Sequence, residues 1–99
     1  MSGPEGWEWD EEKAAWTLEH RGISFDTIHD LDHDAALTWI DGRRLYEEIR
    51  ICALAPDRTT GRLYAFVYTW RDETRRLISL RKANLREKRR YDEYRSPRR

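Results

Sequence analysis

A single cysteine, Cys52, excludes an internal disulfide framework and fits a reducing compartment. Long apolar runs are missing too. The longest apolar-aromatic stretch, "LYAFVYTW" from Leu63 to Trp70, is far too short to cross a bilayer. The opening residues "MSGPEGWEWDEE" lack the basic-then-apolar order of a secretory signal, so the expectation is a cytoplasmic protein without membrane contact. There is no Gly-rich phosphate loop, no GxSxG and no dinucleotide fingerprint, which removes the common nucleotide-binding and serine-hydrolase classes. Nor is there an internal repeat or a long low-complexity segment. With 99 residues, the length suits one domain over residues 1–95, followed by a basic tail at 96–99.

What the chain does have is aromatic mass and divided charge. Five Trp, five Tyr and two Phe supply large pieces for a compact core. The net charge is zero, yet residues 1–57 carry 14 acidic and 5 basic side chains and residues 58–99 carry 5 acidic and 14 basic ones. Such asymmetry points to a polyanionic partner for the basic half, or else to halves that pack together and neutralise each other.

Periodicity orders the elements. "WEWD" reads as a short strand with Trp7 and Trp9 on one face. Asp10 caps a helix through Leu18, Glu11 and Glu12 suit its positive end, and Gly22 stops it. A second short helix from Ser24 has Phe25, Ile28 and Leu31 as its stripe, with Ile23 and Ile28 as a hydrophobic staple. "ALTWI" followed by Asp41–Gly42 predicts a hairpin into "RLYEEIRICALA". There Leu45, Ile49, Ile51 and Ala53 share one face, and Tyr46, Glu48, Arg50 and Cys52 the other. "RLYAFVYTW" and "RRLISLRKA" flank "RDET" as a second hairpin. A four-residue loop would set Val67 opposite Ile78 and Ala65 opposite Leu80. Tyr64, Phe66, Tyr68 and Trp70 would then lie beside Arg75, Leu77, Ser79 and Arg81. Asn84 and Glu87 form a capping box for a last helix with a thin apolar stripe. The predicted class is α+β: a small antiparallel sheet, two N-terminal helices and one C-terminal helix.

A sheet face bearing Arg50, Arg81, nearby Arg62 and several aromatics has what RNA binding needs. Guanidinium groups grip phosphates in a planar, bidentate way, and rings stack on unpaired bases. The competing reading makes the aromatic row a covered core face and Glu48 a structural ion-pair partner for Arg50 or Arg81. Elsewhere, "HDLDHD" puts His29 and His33 at i, i+4 spacing, compatible with a metal beside Asp26 or Asp30. No HExxH or cysteine pair accompanies it, so a solvated segment and no metal are expected. Cys52, among strand residues, reads as a buried, inert thiol.

"WEWDEEKAAWTLEHRGISF", "EIRICALA", "GRLYAFVYT" and "RRLISLRKANLREKRRY" resemble, in order, the motifs of BrnT-family toxins, over about residues 7–95. Those are the ribonuclease halves of bacterial toxin–antitoxin pairs, with a fold similar to the RelE toxins. The most specific block reads close to "RIISAR.A...E...Y" in the family, and Arg76, Ile78, Ser79, Arg81, Ala83, Glu87 and Tyr91 occupy its places. The family's Glu-x-Arg falls on Glu48 and Arg50, and its Gly-Arg-Leu on Gly61, Arg62 and Leu63. Where the family has Lys-His-Gly after the first helix, this chain has His20-Arg21-Gly22. Leu80 stands where an alanine is usual, and Ala55 where a glycine is.

The resemblance implies a metal-independent endoribonuclease, without a cofactor, that uses the 2′-hydroxyl of RNA as nucleophile and arrests translation and growth. On that implication Arg50, Arg62 and Arg81 stabilise the phosphorane. Glu48 is the candidate base, and His20 an acid or base in place of the missing histidine. Ser79 orients a phosphate oxygen, while Tyr68, Arg76 and Lys82 hold substrate. The implied partner is a BrnA-like antitoxin with a ribbon-helix-helix portion, operator DNA being reached only through that complex. A non-catalytic RNA-binding module and a protein-interaction domain are the alternatives.

Overall fold

The computed structural model describes residues 2–3, 6–42 and 48–96. The strands are β1 (Ser2–Gly3), β2 (Trp7–Trp9), β3 (Leu37–Ile40), β4 (Arg50–Pro56), β5 (Leu63–Arg71) and β6 (Thr74–Lys82), and the α-helices are α1 (Glu11–Arg21) and α2 (Leu85–Arg95). Among the described residues the strands form one sheet in the order β1-β2-β6-β5-β4-β3. The class is α+β as predicted, but the sheet is mixed: β2 runs parallel to β6, while every other pairing is antiparallel. Three residues of "WEW" reveal by alternation which side is apolar. They carry no information about the neighbour or its direction.

The predicted caps form. Asp10 accepts from the Glu12 amide, and Gly22 closes α1 in the left-handed region at φ 68° that glycine adopts without a Cβ penalty. Asn84 and Glu87 make both halves of the capping box of α2. The second N-terminal α-helix does not form. Ser24 instead caps a 3₁₀ helix, Phe25–Asp30, and Asp32 caps another, His33–Ala35. Leu31 between them is extended and buried, bridging to Asp57. Closely spaced Ser and Asp side chains offer the backbone local turns that compete with a continued helix. Ile23 and Ile28 are both buried, as the staple requires.

Each face of the sheet has its own core. Trp7, Phe25, Ile28, Leu31, Ala53, Ala55, Phe66, Leu77 and Leu80 fill the side covered by α1 and the 3₁₀ helices. Leu54, Leu63, Ala65, Ala83 and Tyr91 fill the side on which α2 docks, with Leu37 and Trp39 packed against them. The Tyr91 hydroxyl donates to the Ala35 carbonyl at 2.7 Å, pinning a helix whose apolar stripe is thin.

Two pairings differ from expectation. The expected hairpin pairing does form, β3 running antiparallel to β4, but not around a tight Asp41–Gly42 turn: Ile40 pairs with Ile51, and the strand expected from residue 44 begins at Arg50. Leu45 and Tyr46, assigned to it, lie outside the described residues. In the second hairpin, Trp70 opposite Arg75 and Arg71 opposite Thr74 agree with the predicted register around a turn of Asp72 and Glu73. A β-bulge then intervenes, pairing Tyr68 with Leu77 but Val67 with Ser79, so that Ile78 is the extra residue. Beyond it Ala65 faces Arg81, not Leu80. The bulge carries Ser79 and Arg81 to the side opposite the aromatic row.

Candidate functional site

Regular alternation alone would send Arg81 into the aromatic core. The bulge at Ile78 turns it, with Ser79, toward the side on which α2 docks. There Trp39, Cys52, Val67 and Ser79 are successive cross-strand neighbours and form a floor. α2 crosses one end of that sheet face and supplies the wall, with Asn84, Arg86, Glu87 and Arg90. The groove between floor and wall encloses about 450 Å³, within the range of small-ligand sites.

Arg81 is held in place within it. Its Nη1 and Nη2 each donate to a Glu87 carboxylate oxygen at 2.8 Å. Glu87 also accepts from the Asn84 amide at 2.9 Å, so one carboxylate closes the helix cap and fixes the guanidinium. The hydrogen bonds from Arg81 hold the Glu87 carboxyl below the usual carboxylate range, and Glu87 raises Arg81 in turn. A guanidinium has five N–H donors, and this end-on pairing uses the Nη1–Nη2 edge. The Nε–Nη2 edge keeps a donor pair that fits two phosphate oxygens. Arg86 and Arg90 are exposed, and among the described residues neither has a carboxylate within ion-pair distance.

The remaining expected site residues are dispersed. Arg50 and Arg76 flank Thr69 on the same face, one step past the floor, with Arg76 paired to Glu8 at 3.0 Å and Arg50 partly buried. Glu48 lies 3.7 Å from Arg71 at the hairpin end, and Arg81 pairs with Glu87 instead of Glu48. Arg62 lines a separate hollow with Lys88, Tyr91 and Asp92, on the other flank of α2 from Arg81. Lys82 and Tyr68 share the aromatic face, and Tyr68 is partly buried against Trp7 at 5.3 Å. The expectation of Tyr68 beside Arg81 is therefore corrected by the bulge. His20 stacks on Trp16 at 4.5 Å on α1, which covers the opposite face. Arg21, at the family's histidine position, donates to the Leu80 carbonyl at 3.1 Å and ties α1 to β6.

Burial explains Phe66 and much of Tyr64 and Tyr68 better than base stacking does, while Trp70 at the hairpin end is 52% exposed. Trp7, 1% exposed, packs edge-on against Phe66 and Tyr68, with the Arg75 guanidinium 4.3 Å from its ring centroid. Part of the charge asymmetry is internal too: Arg76 and Arg71 of the basic half pair with Glu8 and Glu48 of the acidic half. His29 and His33 sit in separate 3₁₀ helices, and His33 Nε2 is 2.7 Å from the Ile28 carbonyl. Among the described residues no group of three or more His, Cys, Asp or Glu is placed to hold a metal. No helix there is long and apolar enough to cross a membrane. Cys52 is buried, as expected, in the groove floor.

Three groove residues escaped the sequence reading: Trp39, Arg86 and Arg90. The i, i+4 spacing of Arg86 and Arg90 around Glu87 was the available signal, since it puts both on one helix face beside the cap.

Fold and groove together define a small α+β protein with an arginine-walled cleft between sheet and C-terminal helix. A family described as "Ribonuclease toxin, BrnT, of type II toxin-antitoxin system" matches residues 9–87, and the chain belongs to that family. No curated protein matches it significantly.

Proposed function

We propose that the chain is a metal-independent endoribonuclease that cuts single-stranded cellular RNA in the groove between α2 and the sheet, arresting translation and growth. The observation that carries this reading is the convergence of Arg81, Arg86, Arg90 and Ser79 on one open cleft. Family membership supplies the ribonuclease class.

In this reading the 2′-hydroxyl oxygen attacks its own 3′-phosphorus. The bond from phosphorus to the 5′-oxygen breaks and that oxygen takes a proton from water, leaving a 2′,3′-cyclic phosphate and a 5′-hydroxyl. The free edge of Arg81, with Arg86, meets the charge that develops on the non-bridging oxygens, where preorganised cations contribute most. Ser79 orients one of those oxygens. Glu87 is the sole carboxylate among the lining residues, and with its oxygens taken by Arg81 and the Asn84 amide it positions Arg81, while water accepts the 2′-hydroxyl proton. Arg50 and Arg76 extend the cationic track along the same face. In this reading Glu48, His20, Arg62, Tyr68 and Lys82, which lie outside the groove, take no direct part in the chemistry.

A cognate antitoxin, BrnA-like with a ribbon-helix-helix portion, neutralises the toxin by covering the groove, and operator DNA is reached through that complex.

Induction in bacteria of the wild type and of Arg81→Ala, with growth and RNA integrity followed, tests the proposal. Arrest with RNA breakage is expected for the wild type and not for Arg81→Ala. RNA bound in a salt-sensitive way but left intact would instead make this an RNA-binding module.

A further inference from the structure

Arg90 stands out among the groove cations because its guanidinium carbon lies over the Trp39 ring, 4.1 Å from the centroid. A guanidinium resting on an indole gains cation–π attraction and loses freedom to swing. Trp39 is itself half-buried, packed into the core beneath α2, so the support is firm. Arg90 is exposed, and both residues line the groove that holds Ser79 and Arg81.

We propose that Arg90, braced by Trp39, is a stacking shelf for one unpaired nucleobase of the RNA substrate. Unpaired bases stack on arginine planes as they do on aromatic rings. The shelf gives this groove a base-binding surface on the side of the sheet opposite the Tyr64–Trp70 row. Trp39 and Ser79 sit at opposite ends of the floor, three strand spacings apart, roughly 14 Å at about 4.8 Å per spacing. The shelf stands over the Trp39 end of the floor and the cut over the Ser79 end. The shelved base is accordingly assigned to a nucleotide flanking the one cut at Arg81, where it sets the register of the strand. This inference rests on the nuclease reading and specifies how the same groove selects and positions RNA.

The test uses short single-stranded oligoribonucleotides in which one position at a time is abasic, cleaved by wild type, Arg90→Lys and Arg90→Ala. Wild type is expected to show one position flanking the cut where base removal lowers kcat/KM by about 5- to 150-fold, the range of a single stacking contact. In Arg90→Lys, which keeps the charge and loses the plane, that sensitivity disappears: the ratio of kcat/KM for intact to abasic RNA at that position falls to about one. Arg90→Ala also loses the sensitivity, and it lowers kcat/KM for intact and abasic RNA alike with a weaker salt dependence of binding. Because Arg90 is solvent-exposed on its helix, unchanged circular dichroism is expected in both variants. If Arg90→Lys keeps the wild-type sensitivity, Arg90 acts only as a charge and the shelf is refuted. If wild type cleaves but no position is sensitive, the shelf is refuted and the nuclease stands. A wild type that cleaves no RNA removes both.

Discussion

Glu87 joins three tasks in one carboxylate: it completes the cap of α2, fixes Arg81, and lines the groove. Because Arg81 depresses its folded pKa, the stability it adds is complete above the ordinary glutamate value and is lost as pH falls through the depressed one. Glu87→Gln keeps a capping-box side chain and removes this titration. The difference in urea midpoint between wild type and Glu87→Gln should therefore be largest at neutral pH and shrink in strong acid. A difference that stays constant with pH would rule the linkage out. Tyr91 is a second residue whose role is local. Tyr91→Phe leaves the buried Ala35 carbonyl unpaired and should cost about 1–3 kcal/mol in denaturant unfolding. No measurable loss would mean the hydroxyl does not anchor α2.

At the scale of elements, the bulge decides what the last strand presents. Near the turn, the register read from the sequence was right, and so was the assignment of Arg75 and Leu77 to the aromatic side. One extra residue, Ile78, was invisible to alternation because "LISLR" has no glycine or other mark of a bulge, and everything beyond it changed sides. The caps at Asp10, Gly22 and Asn84 were legible because each depends on a few adjacent residues. The parallel β2–β6 pairing depends on distant neighbours, and no local pattern encodes it. Deleting Ile78 should regularise the hairpin while leaving Leu77, Ser79 and Arg81 on their present sides, so folding and RNA cleavage persist. Deleting Leu80 should push Arg81 to the aromatic side and abolish cleavage. Equal loss in both deletions would show that the bulge's twist, not its side-switching, is what the site needs.

Across the whole molecule, the sheet separates two surfaces that the sequence reading had merged. One side buries aromatics under α1 and the 3₁₀ helices, and the other gathers arginines against α2. The expectation that cations serve a polyanion was legible in the basic second half. The identity of the cations was only partly so, since Arg81 and Ser79 were named for the wrong face and Arg86, Arg90 and Trp39 were not named. Arg81 and Lys82 make the separation testable, because they are adjacent in sequence and sit on opposite sides of β6. The decisive measurement is kcat/KM for single-stranded RNA with purified Arg81→Ala and Lys82→Ala. Loss of about 10²- to 10³-fold in Arg81→Ala, beside near-wild-type activity in Lys82→Ala, is the predicted result. Full activity in Arg81→Ala, or collapse in Lys82→Ala alone, would contradict the placement of the chemistry in this groove.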